Sequence, residues 1–125
     1  MNEERQPNFT HDDVLEVITD FPVKPLWNKV IITINTDEAD GGLVLSDNAF
    51  SERQYVVSGT FKFGDLEVIP GTPVLIDIKK LMKSVRTEVD NVLGEYKVVE
   101  IDPIIVDDKM YAIIDDRIIK AIDLR

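Results

Sequence analysis

The chain has 125 residues, a length that fits one compact domain, and its 24 acidic against 14 basic residues give a net charge of −10. With 44% hydrophobic and 30% charged residues it is a folding chain rather than a disordered one, and no apolar run approaches the ~20 residues that span a bilayer. The absence of cysteine excludes disulfides, thiolate metal sites and a thiol nucleophile, and the acidity argues against duplex nucleic acid or an anionic membrane surface as partner.

The polar start, Met1-Asn2-Glu3-Glu4-Arg5, has no signal-peptide pattern, so a cytoplasmic placement is expected. Residues 1–9 read as loose. Thr10-His11-Asp12-Asp13 then reads as a helix start: Thr10 caps free backbone N–H groups and two aspartates sit at the positive end of the dipole. Val14, Leu15, Ile18 and Phe21 follow at helical spacing up to Pro22, which predicts a short helix over about 11–20. Isoleucine and valine together number 30, and branching at Cβ favours strands, so the remainder reads as mostly β.

Strands are expected at Lys29–Ile34, at Gln54–Ser58 and at Val74–Ile78, the last entered through the turn Pro70-Gly71-Thr72-Pro73. Residues 79–93 fit two patterns. Leu81, Val85, Val89 and Val92 would line a helix face, whereas Val85–Val89 and Tyr96–Val99 would make a hairpin turning at Asn91 and Gly94. The β-branched content favours the hairpin. Ile104–Val106, Met110–Ile114 and Ile118–Ile122 are further strands, separated by Asp107-Asp108 and Asp115-Asp116. Short strands with frequent turns predict a small barrel or sandwich.

The residues offer little for catalysis, and no enzyme activity, metal or cofactor is expected. His11 is the single histidine, with no serine or ligand triplet to complete a site. Asp107-Asp108 and Asp115-Asp116 read as turn residues, because neighbours on a strand point to opposite faces. Glu100 and Asp102 share a strand face, as solvated acidic pairs often do. No glycine-rich loop leads into a phosphate-binding lysine. Tyr55, Phe61, Phe63 and Trp27 would suit a base-stacking platform, but no basic stripe accompanies them. Trp27 reads instead as packed at a core edge or subunit boundary.

One segment resists a plain structural reading. Asp40-Gly41-Gly42-Leu43-Val44-Leu45-Ser46 places three large apolar residues inside a polar, turn-rich stretch. They would form either a short core strand or an apolar recognition motif on a loop that orders against a partner.

The order of these features resembles the GroES-type co-chaperonin family (chaperonin-10). Lys24-Pro25-Leu26-Trp27-Asn28-Lys29-Val30-Ile31-Ile32 resembles the family's opening strand, and Gly41-Gly42-Leu43-Val44-Leu45 its mobile-loop motif. Val56-Val57-Ser58-Gly59, Gly71-Thr72-Pro73-Val74-Leu75-Ile76 and Ile105–Ile114 resemble the strand after the loop, the next strand and the late hairpin. Asp116-Arg117-Ile118-Ile119-Lys120-Ala121-Ile122 resembles the closing strand.

The resemblance implies an N-terminal extension, 1–22, before a GroES-like β-barrel, 23–125, with a mobile loop at about 35–53 and an insertion at about 79–101. It also implies a homo-heptameric ring that caps an ATP-bound chaperonin and encloses an unfolded client protein. Leu43, Val44 and Leu45 would bind the chaperonin, with Gly41 and Gly42 as hinge. Ile118, Ile119, Ala121 and Ile122 would lie at the subunit interface. The segment Thr60–Ile69 is shorter than the family's roof hairpin, which implies an open dome. The trimmed roof and added pieces resemble divergent, phage-encoded members, which would act in the host cytoplasm. The alternative reading is a small β-barrel adaptor without chaperonin activity, and a hydrolase built on clustered aspartates is a third.

Overall fold

The computed structural model describes residues 6–37 and 50–124. Among these residues one helix, α1 (His11–Thr19), precedes ten strands: β1 (Lys29–Thr33), β2 (Arg53–Ser58), β3 (Phe61–Phe63), β4 (Leu66–Val68), β5 (Pro73–Ile76), β6 (Met82–Val89), β7 (Val92–Val99), β8 (Asp102–Val106), β9 (Lys109–Asp115) and β10 (Ile119–Ile122). The domain is mostly β, and every strand pairing is antiparallel. Six strands form the main sheet in the order β10-β5-β2-β1-β9-β8, while β3-β4 and β6-β7 are separate two-stranded ribbons. Among the described residues β10 and β8 are the outer strands of the main sheet, and no pairing joins them.

The central strand β1 is buried on both faces, which explains its unbroken run Val30-Ile31-Ile32. Val30 and Ile32 face the larger core with Val56, Val74, Ile76, Ala112 and Ile114. Ile31 faces the other way, into a smaller core with Phe9, Val14, Val57, Val106 and Tyr111. Period-two alternation thus gives one sheet two apolar faces, and the second is covered by α1 and its flanks.

The helix has the expected cap. Thr10 Oγ1 accepts from the Asp13 N–H at 3.2 Å, and the Asp13 carboxylate accepts from the Thr10 N–H at 2.9 Å. These bonds to Thr10 hold the Asp13 carboxyl below its ordinary pKa.

Turn chemistry sets the ribbons. Asp90-Asn91 joins β6 to β7 with both residues at positive φ, 54° and 66°, and Asp107-Asp108 joins β8 to β9 in the same way at 52° and 66°. Both are the two-residue geometry that asparagine and aspartate tolerate and that matches strand twist. Residues 79–101 are therefore a hairpin entered through a 3₁₀ turn at Ile78–Leu81, but its turn is Asp90-Asn91 rather than Asn91 and Gly94.

Residues 60–69 form a short hairpin, β3-β4, turning at Gly64-Asp65 with Gly64 at φ 65°. Three further expectations are corrected. Residues 6–9 are docked rather than loose, through bonds described below. Trp27 does not pack at the edge of the chain's own core: it is 89% exposed at φ 56°. Ile118 ends a 3₁₀ turn, Asp116–Ile118, so the last strand begins at Ile119.

Candidate functional site

The predicted hinge and binding residues, Gly41, Gly42, Leu43, Val44 and Leu45, lie outside the described residues. The structure describes the chain on both sides of them, and there the sequence builds a root. The described backbone runs from β1 to Asp37 and resumes at Phe50. Thr36 and Phe50 form an antiparallel bridge, and the Ser51 N–H donates to the Asn35 carbonyl at 2.9 Å.

Below that bridge lies Gln54, a polar side chain only 1% exposed. Its Oε1 accepts from Thr33 Oγ1 and from the Asn35 N–H, both at 2.8 Å. Its Nε2 donates to the Asn35 carbonyl at 3.0 Å and the Ser51 carbonyl at 2.8 Å. All four hydrogen-bonding positions of the amide are thus used. Thr33 Oγ1 in turn accepts from the Tyr55 N–H at 2.9 Å. A buried amide is costly unless satisfied, and a satisfied one fixes its neighbours in a single arrangement. Gln54 therefore joins the two chain segments at the root.

The N-terminal segment is pinned to the same place. Asn35 Oδ1 accepts from the Phe9 N–H at 2.8 Å, and its Nδ2 donates to the Phe9 carbonyl at 3.1 Å. Asn8 repeats the pattern on Thr36, donating to its carbonyl at 2.8 Å and accepting from its N–H at 3.0 Å. Gln6 does the same to Met110 on β9, accepting from its N–H at 2.6 Å and donating to its carbonyl at 3.2 Å. Three side-chain amides stand in for backbone amides, so residues 6–9 are held much as a strand would be. An open cleft of about 640 Å³ lies beside the root, with Asn8, His11, Thr36, Asp37, Arg53 and Tyr55 in its lining. His11 is exposed in the first turn of α1, its ring 5.8 Å from that of Tyr55.

The predicted interface residues divide. Ile118, Ile119 and Ile122 pack against the chain's own larger core. Ala121 is exposed, and among the described residues β10 has β5 as its one neighbour in the sheet.

The aspartate pairs do not converge on a reaction centre. Asp107 and Asp108 are turn residues. Asp115 accepts from Asn28 Nδ2 at 2.7 Å, from the Arg117 N–H at 2.9 Å and from Arg117 Nε at 3.1 Å, which holds its carboxyl well below the usual range. Burial and then the adjacent Asp115 push Asp116 up. Among the described residues no three His, Asp or Glu side chains gather as metal ligands, and no helix is long and apolar enough to cross a membrane.

Sequence reasoning missed Gln6, Asn8, Asn35 and Gln54. The signal for Gln54 was its place: Gln54, Val56 and Ser58 alternate along one strand face, so a polar residue occupied an inward position. No protein-family model matches the chain, and no curated protein matches its sequence.

Proposed function

We propose that this chain is the subunit of a GroES-type co-chaperonin, a small β-barrel protein that assembles into a heptameric ring and caps a GroEL-type chaperonin in its ATP-bound state. The observation that carries the reading is that Gly41-Gly42-Leu43-Val44-Leu45 falls in sequence between β1 and β2, and that the described residues flanking this segment are joined by Gln54 and Asn35. A rigid root suits a recognition segment, because ordering fewer residues on binding costs less entropy. The order of the other family-like motifs along the chain supports the same reading.

In this reading Leu43, Val44 and Leu45 enter an apolar groove on the chaperonin, with Gly41 and Gly42 allowing the turn. Burying each side chain stabilises by about 1.5–3 kcal/mol, and ordering the segment offsets much of that. One subunit then binds weakly, and a ring binds tightly through effective concentration. Ala121 and the outer edge of β10 lie at the contact between subunits. The protein hydrolyses nothing itself; it favours one conformation of its partner by binding that conformation better. Its place of action is the cytoplasm, and its client is an unfolded protein in the closed chamber.

The test is co-migration with a bacterial chaperonin on a sizing column, with and without ATP or ADP. Nucleotide-dependent co-elution of a ring-sized species is expected. Leu45→Asp should leave the ring intact and abolish co-elution. If Leu45→Asp binds like the parent, the loop assignment is wrong; if the parent forms no ring and binds no chaperonin, the adaptor reading replaces this one.

A further inference from the structure

Residues 6–9 run from the start of β9 to the stretch just past β1, yet they form no helix or strand. Among the described residues no backbone–backbone hydrogen bond ties them to the rest of the chain. Three side-chain amides hold them instead: Gln6 on Met110, Asn8 on Thr36 and Asn35 on Phe9. The first two pairs are exposed to solvent, and the third is buried together with the Phe9 side chain. An exposed side-chain bond competes with water, so the outer pairs contribute little each, while fixing four residues costs backbone entropy. Segments held in this way open at a lower free energy than core strands.

Phe9 keeps the segment shut. Its ring lies in the smaller core with Val14, Ile31, Val57, Val106 and Tyr111, and Lys109 Nζ lies over it at 5.3 Å. The segment also has a natural boundary. Thr10 spends its cap bonds on Asp13, inside the helix, so α1 can stay formed while residues 6–9 lift.

What such an opening does is decided at Asn35 and Thr36. Four of their hydrogen bonds go to Phe9 and Asn8. Three go to the root: the Asn35 N–H donates to Gln54 Oε1, and the Asn35 carbonyl accepts from Gln54 Nε2 and the Ser51 N–H. Lifting residues 6–9 removes the first set outright. It also uncovers Asn35, which is only 8% exposed while Phe9 is in place. Water then competes for the bonds to Gln54 and Ser51, which owe part of their strength to the dry surroundings. The same two residues thus belong to both assemblies, and neither assembly loosens alone.

We propose that residues 6–9 are a latch that opens as a unit without unfolding the sheet, and that the latch sets how firmly Asn35, Thr36 and Ser51 are held. Two states follow: a closed latch with a tight root, which predominates, and an open latch with a loosened root. By linkage, whatever orders the root from outside also closes the latch, and by the same factor. With the latch open, more residues have to be ordered when the segment between β1 and β2 meets a partner, so affinity falls. That last consequence rests on the co-chaperonin reading; the coupling between latch and root does not.

Native-state hydrogen exchange of the full chain, followed amide by amide in low urea, tests it. In the parent the amides of Phe9, Asn35 and Ser51 should open at a lower free energy than those of β1, with a weaker urea dependence, the mark of sub-global opening. Gln6→Ala removes the pin on Met110 and touches none of these three amides. It should speed all three by a common factor of about five, the worth of one ordinary hydrogen bond, with the weak urea dependence kept. Asn8→Ala should act likewise, and the two together should multiply to about 25-fold if the segment opens as one. Phe9 accelerated with Asn35 and Ser51 unchanged would show that latch and root are independent, and would overturn the proposal. So would three amides that share the full urea dependence of β1, a result that the parent alone gives should a variant fail to fold. No chaperonin enters the experiment, so either failure leaves the loop assignment standing.

Discussion

Asn35 holds Phe9 by both of its backbone groups, accepting its N–H at 2.8 Å and donating to its carbonyl at 3.1 Å, across 26 residues of chain. Phe9 is itself only 6% exposed, its ring tilted against that of Tyr111 at 5.4 Å, in the core behind α1. The backbone of Asn35 meanwhile bonds to Gln54 and Ser51. One residue therefore ties the N-terminal segment, the smaller core and the root of the predicted binding loop together.

Asn35→Ala should accordingly cost more than a surface change. It leaves the Phe9 N–H and carbonyl without their partner in a buried place, at about 1–3 kcal/mol for an unsatisfied group. A urea unfolding midpoint lowered by the equivalent of roughly 2–3 kcal/mol is expected, with exchange of the Phe9 amide accelerated. A loss below about 0.5 kcal/mol would mean that residues 6–9 hold their place without this clamp.

The helix and its cap, the central strands and the late hairpin were legible because each carries a local signal: Thr10 with Asp13, the run Val30-Ile31-Ile32, and the Asp107-Asp108 turn. The β3-β4 hairpin was missed because three-residue strands such as Phe61-Lys62-Phe63 are too short for a period to register, although Gly64-Asp65 is a turn signal. The docking of residues 6–9 was illegible for another reason. Gln6, Asn8 and Asn35 look like solvated polar residues in sequence, and only tertiary structure supplies the backbone groups they meet. The loop motif was legible as a motif, whereas the Gln54 hub between its flanking segments depends on pairings 19 and 21 residues away.

Gly59 follows β2 at φ 106°, a region that L side chains rarely adopt, and an added Cβ would lie 3.0 Å from Pro25 Cγ and 3.1 Å from Val30 Cγ1. Gly59→Ala should therefore suffer twice, from the backbone and from the contact with the strand entry. A loss of about 2 kcal/mol or more in thermal or urea unfolding is expected. A neutral Gly59→Ala would mean that the turn relaxes freely.

Asp115 gives a pH dependence with a definite sign. Its hydrogen bonds to Arg117 lead in holding its folded pKa well below the unfolded value of about 3.9. A depressed carboxylate stabilises the fold above the unfolded pKa, and that stability drains away as pH falls toward the folded value. Asp116 is shifted upward, chiefly by burial, so its contribution runs the other way. Asp115→Asn should be less stable than the parent at pH 7, and the gap should narrow by pH 2. A gap independent of pH would show that the carboxylate charge is immaterial to the Asn28–Asp115–Arg117 contacts.

Trp27 sits at φ 56° in the turn closed by the Lys29 N–H donating to the Leu26 carbonyl at 3.1 Å. A bulky residue in the left-handed region is an outlier, costing about 1–2 kcal/mol relative to an ordinary conformation. The side chain recovers little of that by burial, because it is 89% exposed in the protomer. Glycine adopts this φ without steric cost but loses more chain entropy on folding, roughly 0.5–1 kcal/mol. Alanine keeps the backbone strain and loses the indole. Trp27→Gly should therefore be more stable than Trp27→Ala by about 1 kcal/mol, and at least as stable as the parent. Thermal unfolding followed by far-ultraviolet circular dichroism gives the comparison without needing the tryptophan signal. If both variants fall equally below the parent, the indole makes a stabilising contact, and the oligomeric state of each variant will tell whether that contact is with a second copy.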